Sequence, residues 1–121
     1  MEKLIFVYNA NSGWHNSVLD SLHKVVSPNT YACSLCDVTY GAFSENEIWK
    51  KFRERSTVKM EFLHKDEFVK KYKVPKVNVY DYPVILKSVN GELESFVNAN
   101  EINDLKKAQD LINVLQAKFL N

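Results

Sequence analysis

The run Leu4-Ile5-Phe6-Val7-Tyr8 restricts this chain more than any other feature. It is apolar at every position, so both faces of a strand built from it must be covered. Such a strand belongs inside a sheet that carries other elements on each side. Asn9-Ala10-Asn11-Ser12-Gly13 then breaks it. Ser17 followed by Asp20 resembles a capping box. Val18, Leu19, Leu22, Val25 and Val26 recur at helical spacing until Pro28. Strand, loop and helix together open an α/β unit.

Further along, residues 29–43 show no clean period and read as irregular, with a short extended piece. Ser44 and Glu47 form a capping box for a helix whose apolar stripe is Ile48, Trp49 and Phe52. Val58 to Leu63 alternates with period two, as a strand does. Asp66 can cap a short helix through Tyr72, with Phe68, Val69 and Tyr72 inward. Two strand segments, Pro83 to Val89 and Glu92 to Val97, flank Asn90-Gly91. That dipeptide is the strongest two-residue hairpin signal, because both turn positions need positive φ. Ile102, Leu105, Ala108, Leu111, Ile112, Leu115 and Phe119 share one face of a C-terminal helix.

The order is β-α-(irregular, α)-β-α-β-β-α. It implies one domain, residues 1–121, with a central mixed sheet of about four strands and helices on both faces. An extra segment and helix lie between the first helix and the second strand. A right-handed crossover makes the first two strands parallel, and the hairpin adds an antiparallel edge.

Composition narrows the function classes. Hydrophobic residues at 45% and charged residues at 26% suit a globular domain, and 3 Gly with 3 Pro leave little room for a linker. The N-terminal apolar run is too short for a secretory signal or a membrane span. The expected location is therefore cytoplasmic, with no membrane partner, where thiols are normally reduced. Net charge is +1, which gives no global argument for nucleic acid. From Lys50 to Lys76, however, ten basic residues face four acids. Lys50, Lys51, Arg53 and Arg55 share one helix, and helical spacing spreads them around its axis. No P-loop, Gly-x-Gly fingerprint or nucleophile elbow occurs.

The only cysteines, Cys33 and Cys36, stand in Cys-x-x-Cys spacing. That spacing serves thiol exchange, supplies two ligands to a tetrahedral metal, or places two small hydrophobes in a core. No Lys, Arg or His lies within several residues to lower a thiol pKa, and Asp37 acts the other way. A zinc site needs about two further ligands. His15, His23 and His64 are the only histidines, so no metal ligand set and no cofactor is assigned. The loop after the first strand offers Asn9, Asn11 and Ser12 as polar contacts, Gly13 for an unusual φ, and Trp14 as a recognition surface.

From Val58 onward the pattern resembles the thioredoxin-like superfamily. Tyr82-Pro83-Val84-Ile85-Leu86 and Asn90-Gly91-Glu92 stand where that superfamily carries its cis-proline strand and its hairpin. The resemblance implies a thioredoxin-like fold, a cis Tyr82–Pro83 bond, and a Pro83 that shapes a contact surface facing a dithiol. One departure is plain. Thioredoxin-like enzymes hold the Cys-x-x-Cys between first strand and first helix, where helix N–H groups stabilise a thiolate. Here that junction has no cysteine, and the pair is displaced to after the first helix. Two functions follow. One is thiol–disulfide exchange or redox sensing through Cys33 and Cys36 with a protein thiol or disulfide partner. The other is a non-enzymatic module that binds a protein or small anionic ligand through the 9–16 loop or the basic middle.

Overall fold

The computed structural model describes residues 3–10, 34–40, 45–75 and 79–119. Within them the chain runs β1 (Lys3–Tyr8), α1 (Ser34–Thr39), α2 (Glu47–Arg55), β2 (Lys59–His64), α3 (Lys65–Lys71), β3 (Val84–Val89), β4 (Glu92–Val97), α4 (Ala99–Asn103) and α5 (Ala108–Phe119). The expected first helix, the 11–16 loop and His23 lie outside the described residues.

The strands form one mixed sheet in the order β2-β1-β3-β4. β1 is central. It runs parallel to β2, from Lys3↔Lys59 to Tyr8↔His64, and antiparallel to β3, from Lys3↔Ser88 to Val7↔Val84. β4 returns antiparallel to β3. Consequently β1, β2 and β4 all end on one edge of the sheet, and β3 begins there. The hairpin between β3 and β4 turns at Asn90 (φ 53°) and Gly91 (φ 82°), both left-handed as Asn-Gly favours.

The pleat divides β1 between two cores. Leu4, Phe6 and Tyr8 face α1, α2, α4 and α5, joining Leu35, Trp49, Ile102, Leu111 and Leu115. Ile5 and Val7 face the opposite side with Phe68 of α3, Val84 and Leu86. Full burial on both faces explains the unbroken apolar run at Leu4–Tyr8. Each such side chain contributes roughly 1.5–3 kcal/mol relative to exposure.

Several local expectations are corrected. Residues 34–39, read as irregular, form helix α1 with Leu35, Cys36, Val38 and Thr39 inward. Its apolar positions fit helical spacing, but polar neighbours obscure so short a pattern. The cap of α2 is Asn46, whose side chain accepts from the Trp49 N–H at 3.1 Å. Ser44 lies outside the described residues. Ile48 points outward at 54% exposure, because Trp49 and Phe52 already occupy the side toward the sheet. α3 starts two residues early, with the His64 backbone N–H donating to Glu67 Oε1 at 2.8 Å, so His64 rather than Asp66 is the cap.

The long C-terminal helix is two helices. Asn98 and Glu101 form a reciprocal capping box at the start of α4, which ends at Asp104. Asp110 Oδ2 then accepts from the Lys106 and Lys107 N–H groups, which starts α5. The apolar stripe survives the break, since Ile102, Leu105, Ala108, Leu111, Ile112, Leu115 and Phe119 all join the same core. Among the described residues no helix is long and apolar enough to cross a membrane.

One polar cluster sits on the α3 face. Glu61 of β2 accepts from Lys3 Nζ at 2.9 Å, from the Tyr72 hydroxyl at 2.5 Å and from Lys71 Nζ. Burial alone would raise the Glu61 carboxyl, but these three donors outweigh it and hold the pKa down at about 2. A carboxylate held below its unfolded value of 4.5 stabilises the fold above that value. The contribution is lost as pH falls from there through about 2. Glu61→Gln is therefore expected to destabilise by about 1–2 kcal/mol at neutral pH, given that the cluster is only partly buried. It should also flatten the acid limb of stability between those two pH values, read by urea unfolding across pH. An unchanged acid limb would show that the cluster contributes nothing.

Candidate functional site at the C-terminal edge of the sheet

Ligands of open α/β sheets usually bind beyond the carboxyl ends of the strands. Here that edge gathers the ends of β1, β2 and β4 with the start of β3. Two connections tie it together. The Lys65 N–H donates to Ala10 O at 2.9 Å, joining the exit of β1 to the start of α3. The Tyr8 and His64 rings, paired across β1 and β2, lie 5.9 Å apart.

Helix α1 reaches the same edge. Its Thr39 hydroxyl donates back to Leu35 O at 2.7 Å and also shares a hydrogen bond with the Tyr8 phenol. At its other end, Ser34 Oγ donates to Asn103 Oδ1 at 2.5 Å, on α4 just beyond the end of β4. Burial pushes the Tyr8 phenol well above its ordinary value, nearby Tyr40 adds to this, and Thr39 opposes it. Tyr8 is therefore a neutral hydroxyl at any physiological pH. Its contact with Thr39 joins α1 to the end of β1. Behind it, Arg53 clamps Glu45 through both guanidinium contacts, at 3.0 and 2.9 Å, next to the Tyr40–Glu45 bridge.

Cys36 lies on the inward side of α1, 5% exposed and disulfide-bonded. The chain's one other cysteine is Cys33, outside the described residues. α1 begins at Ser34, two residues before Cys36. Pro83 is buried directly before β3, and Val84 pairs with Val7 at the end of β1. The Tyr82–Pro83 bond is cis. Cys36 thus stands on a helix joined to the end of β1, and Pro83 stands directly before β3 at that end of the sheet. Asn11, Ser12 and Trp14, the other expected site residues, lie outside the described residues, as does His15.

His64 shares this edge, and its Nδ1 lies 2.5 Å from Glu67 Oε1. The His64 backbone N–H, ahead of this ring contact, lowers the Glu67 pKa. Among the described residues no group of three or more His, Cys, Asp or Glu is placed to hold a metal ion. Sequence reasoning missed Tyr8 and Thr39. Tyr8 was legible only as the end of a buried strand, and Thr39 lay in a segment without a period.

Comparison with protein-family models, with curated proteins and with solved structures finds no match to this chain.

Proposed function

We propose that this chain is a thioredoxin-like protein that performs thiol–disulfide exchange or redox sensing through Cys33 and Cys36. The observation that carries the reading is the disulfide at Cys36, on a helix tied to the sheet edge where Pro83 leads into β3. The mixed four-stranded sheet with helices on both faces supports it, and so does the Asn90-Gly91 hairpin.

Burial divides the roles. Cys36, almost closed to solvent, is the resolving thiol, which leaves Cys33 as the attacking one. In the reducing direction the Cys33 thiolate attacks one sulfur of a partner disulfide. A mixed disulfide forms and one partner thiolate leaves. Cys36 gives up its proton and attacks the Cys33 sulfur, releasing the second partner thiolate. Two electrons pass to the partner, and Cys33 and Cys36 are left oxidised. The reverse sequence oxidises a partner dithiol.

Equilibration with glutathione buffers, read by thiol alkylation, tests the reading. The expected reduction potential lies between about −270 and −180 mV, the span of exchange-active dithiol proteins. Cys36→Ser is expected to accumulate a mixed disulfide through Cys33. A potential below about −300 mV marks a purely structural bridge and would overturn the proposal.

A further inference from the structure

Away from the dithiol edge, an open groove of about 620 Å³ runs between α2 and α5. Two helical stripes face each other across it. On α2, Ile48, Lys51, Phe52 and Arg55 recur at i, i+3, i+4 and i+7, which is one side of the helix. On α5, Ile112, Gln116 and Phe119 do the same. Val58, in the turn leading to β2, closes one end. The lining combines apolar side chains with two cations, Lys51 and Arg55.

Five other described cations are engaged by carboxylates. Arg53 is clamped by Glu45, Lys3 and Lys71 by Glu61, Lys87 by Glu94, and Lys118 by Glu101. Lys51 and Arg55 are exposed, and among the described residues neither has an ion-pair partner. Beside them Ile48 is 54% exposed, one of three large apolar side chains so open among the described residues. Apolar surface and unpaired positive charge therefore occupy one groove.

Size selects the class of occupant. A stable protein partner needs roughly 800 Å² and 20–30 residues on each side, whereas ten residues line this groove. Its volume falls within the range of small-molecule clefts, about 300–1,000 Å³. We infer that the groove between α2 and α5 binds a single-chain anionic amphiphile, with its tail along Phe52, Ile112 and Phe119 and its carboxylate or phosphate between Lys51 and Arg55. The site is independent of the cysteines.

Titration of the full chain with decanoate, decyl phosphate and uncharged decanol, each below its aggregation limit and followed by amide NMR, tests this. Saturable one-to-one binding is expected to shift the Ile48, Ile112 and Phe119 signals. The anions should bind about tenfold more tightly than decanol, because a charge-assisted contact is roughly twice as strong as a neutral one. Lys51→Ala with Arg55→Ala, both at exposed positions, should remove that advantage and leave decanol affinity unchanged. Ile48→Glu, also exposed, should weaken the anions selectively and serves as a second fold-neutral variant. Equal affinity for decanol and decanoate overturns the inference, as does unchanged anion binding in the double variant. Binding to phosphatidylglycerol vesicles without binding to free decanoate or decyl phosphate overturns it too, in favour of a membrane-surface contact.

Discussion

Trp49→Ala is expected to destabilise the fold by about 3–5 kcal/mol, the range for deleting a fully buried aromatic ring. Trp49 has no exposed surface. It packs edge-on against Phe6 at 5.6 Å and Phe62 at 6.4 Å, and lies 5.8 Å from Phe52 of its own helix. It therefore ties α2 to the two strands at the centre of the larger core. A total stability of about 5–15 kcal/mol would lose a third or more. Trp49→Phe separates volume from polarity. The indole N–H is buried with no hydrogen-bond partner among the described residues, so its removal recovers about 1–3 kcal/mol of desolvation cost and offsets much of the lost ring area. The Phe variant should lie within about 1.5 kcal/mol of the parent by urea denaturation. A Phe variant as unstable as the Ala variant would mean that the N–H is satisfied in solution.

Phe68→Ala is expected to cost a similar 3–5 kcal/mol on the opposite face. Phe68 is the only buried residue of the seven-residue helix α3, with Val69 and Tyr72 packed partly buried beside it. It meets Tyr72 at 5.5 Å, Tyr80 at 5.7 Å and Tyr82 at 6.5 Å. The same substitution should loosen the segment that leads into Pro83. Hydrogen exchange is expected to rise at Tyr80 and Tyr82 as well as along α3, with β1 still protected by its second face. Increased exchange confined to α3 would show that the aromatic cluster does not hold the approach to Pro83.

Helix α1 and the C-terminal break mark where local sequence is silent. Leu35, Cys36, Val38 and Thr39 form an inward face, but six residues carry too little periodicity to separate a helix from an extended piece. The break after Asp104 depends on Asp110 reaching back to two N–H groups. An uninterrupted apolar stripe gives no sign of it, because both helices lie on the same core. Ile48 was misplaced for a related reason. A helical stripe predicts which side chains share a face, but the width of the neighbouring surface decides how many of them are covered.

Leu4–Tyr8 needed no tertiary information to be a central strand, since five consecutive apolar residues satisfy a strand only when both faces are buried. Asn90-Gly91 likewise placed its own turn, because few other residue pairs accept two positive φ values. The sites are different in kind. Pro83 stands beside the end of β1 because β1 runs antiparallel to β3, and Tyr8 meets Thr39 because α1 folds onto that edge. The groove exists because α2 and α5, far apart in sequence, line one cleft. Local propensity acts over a few residues and determined the elements here. Contacts across tens of residues depend on which buried faces meet, and only the tertiary structure decided those.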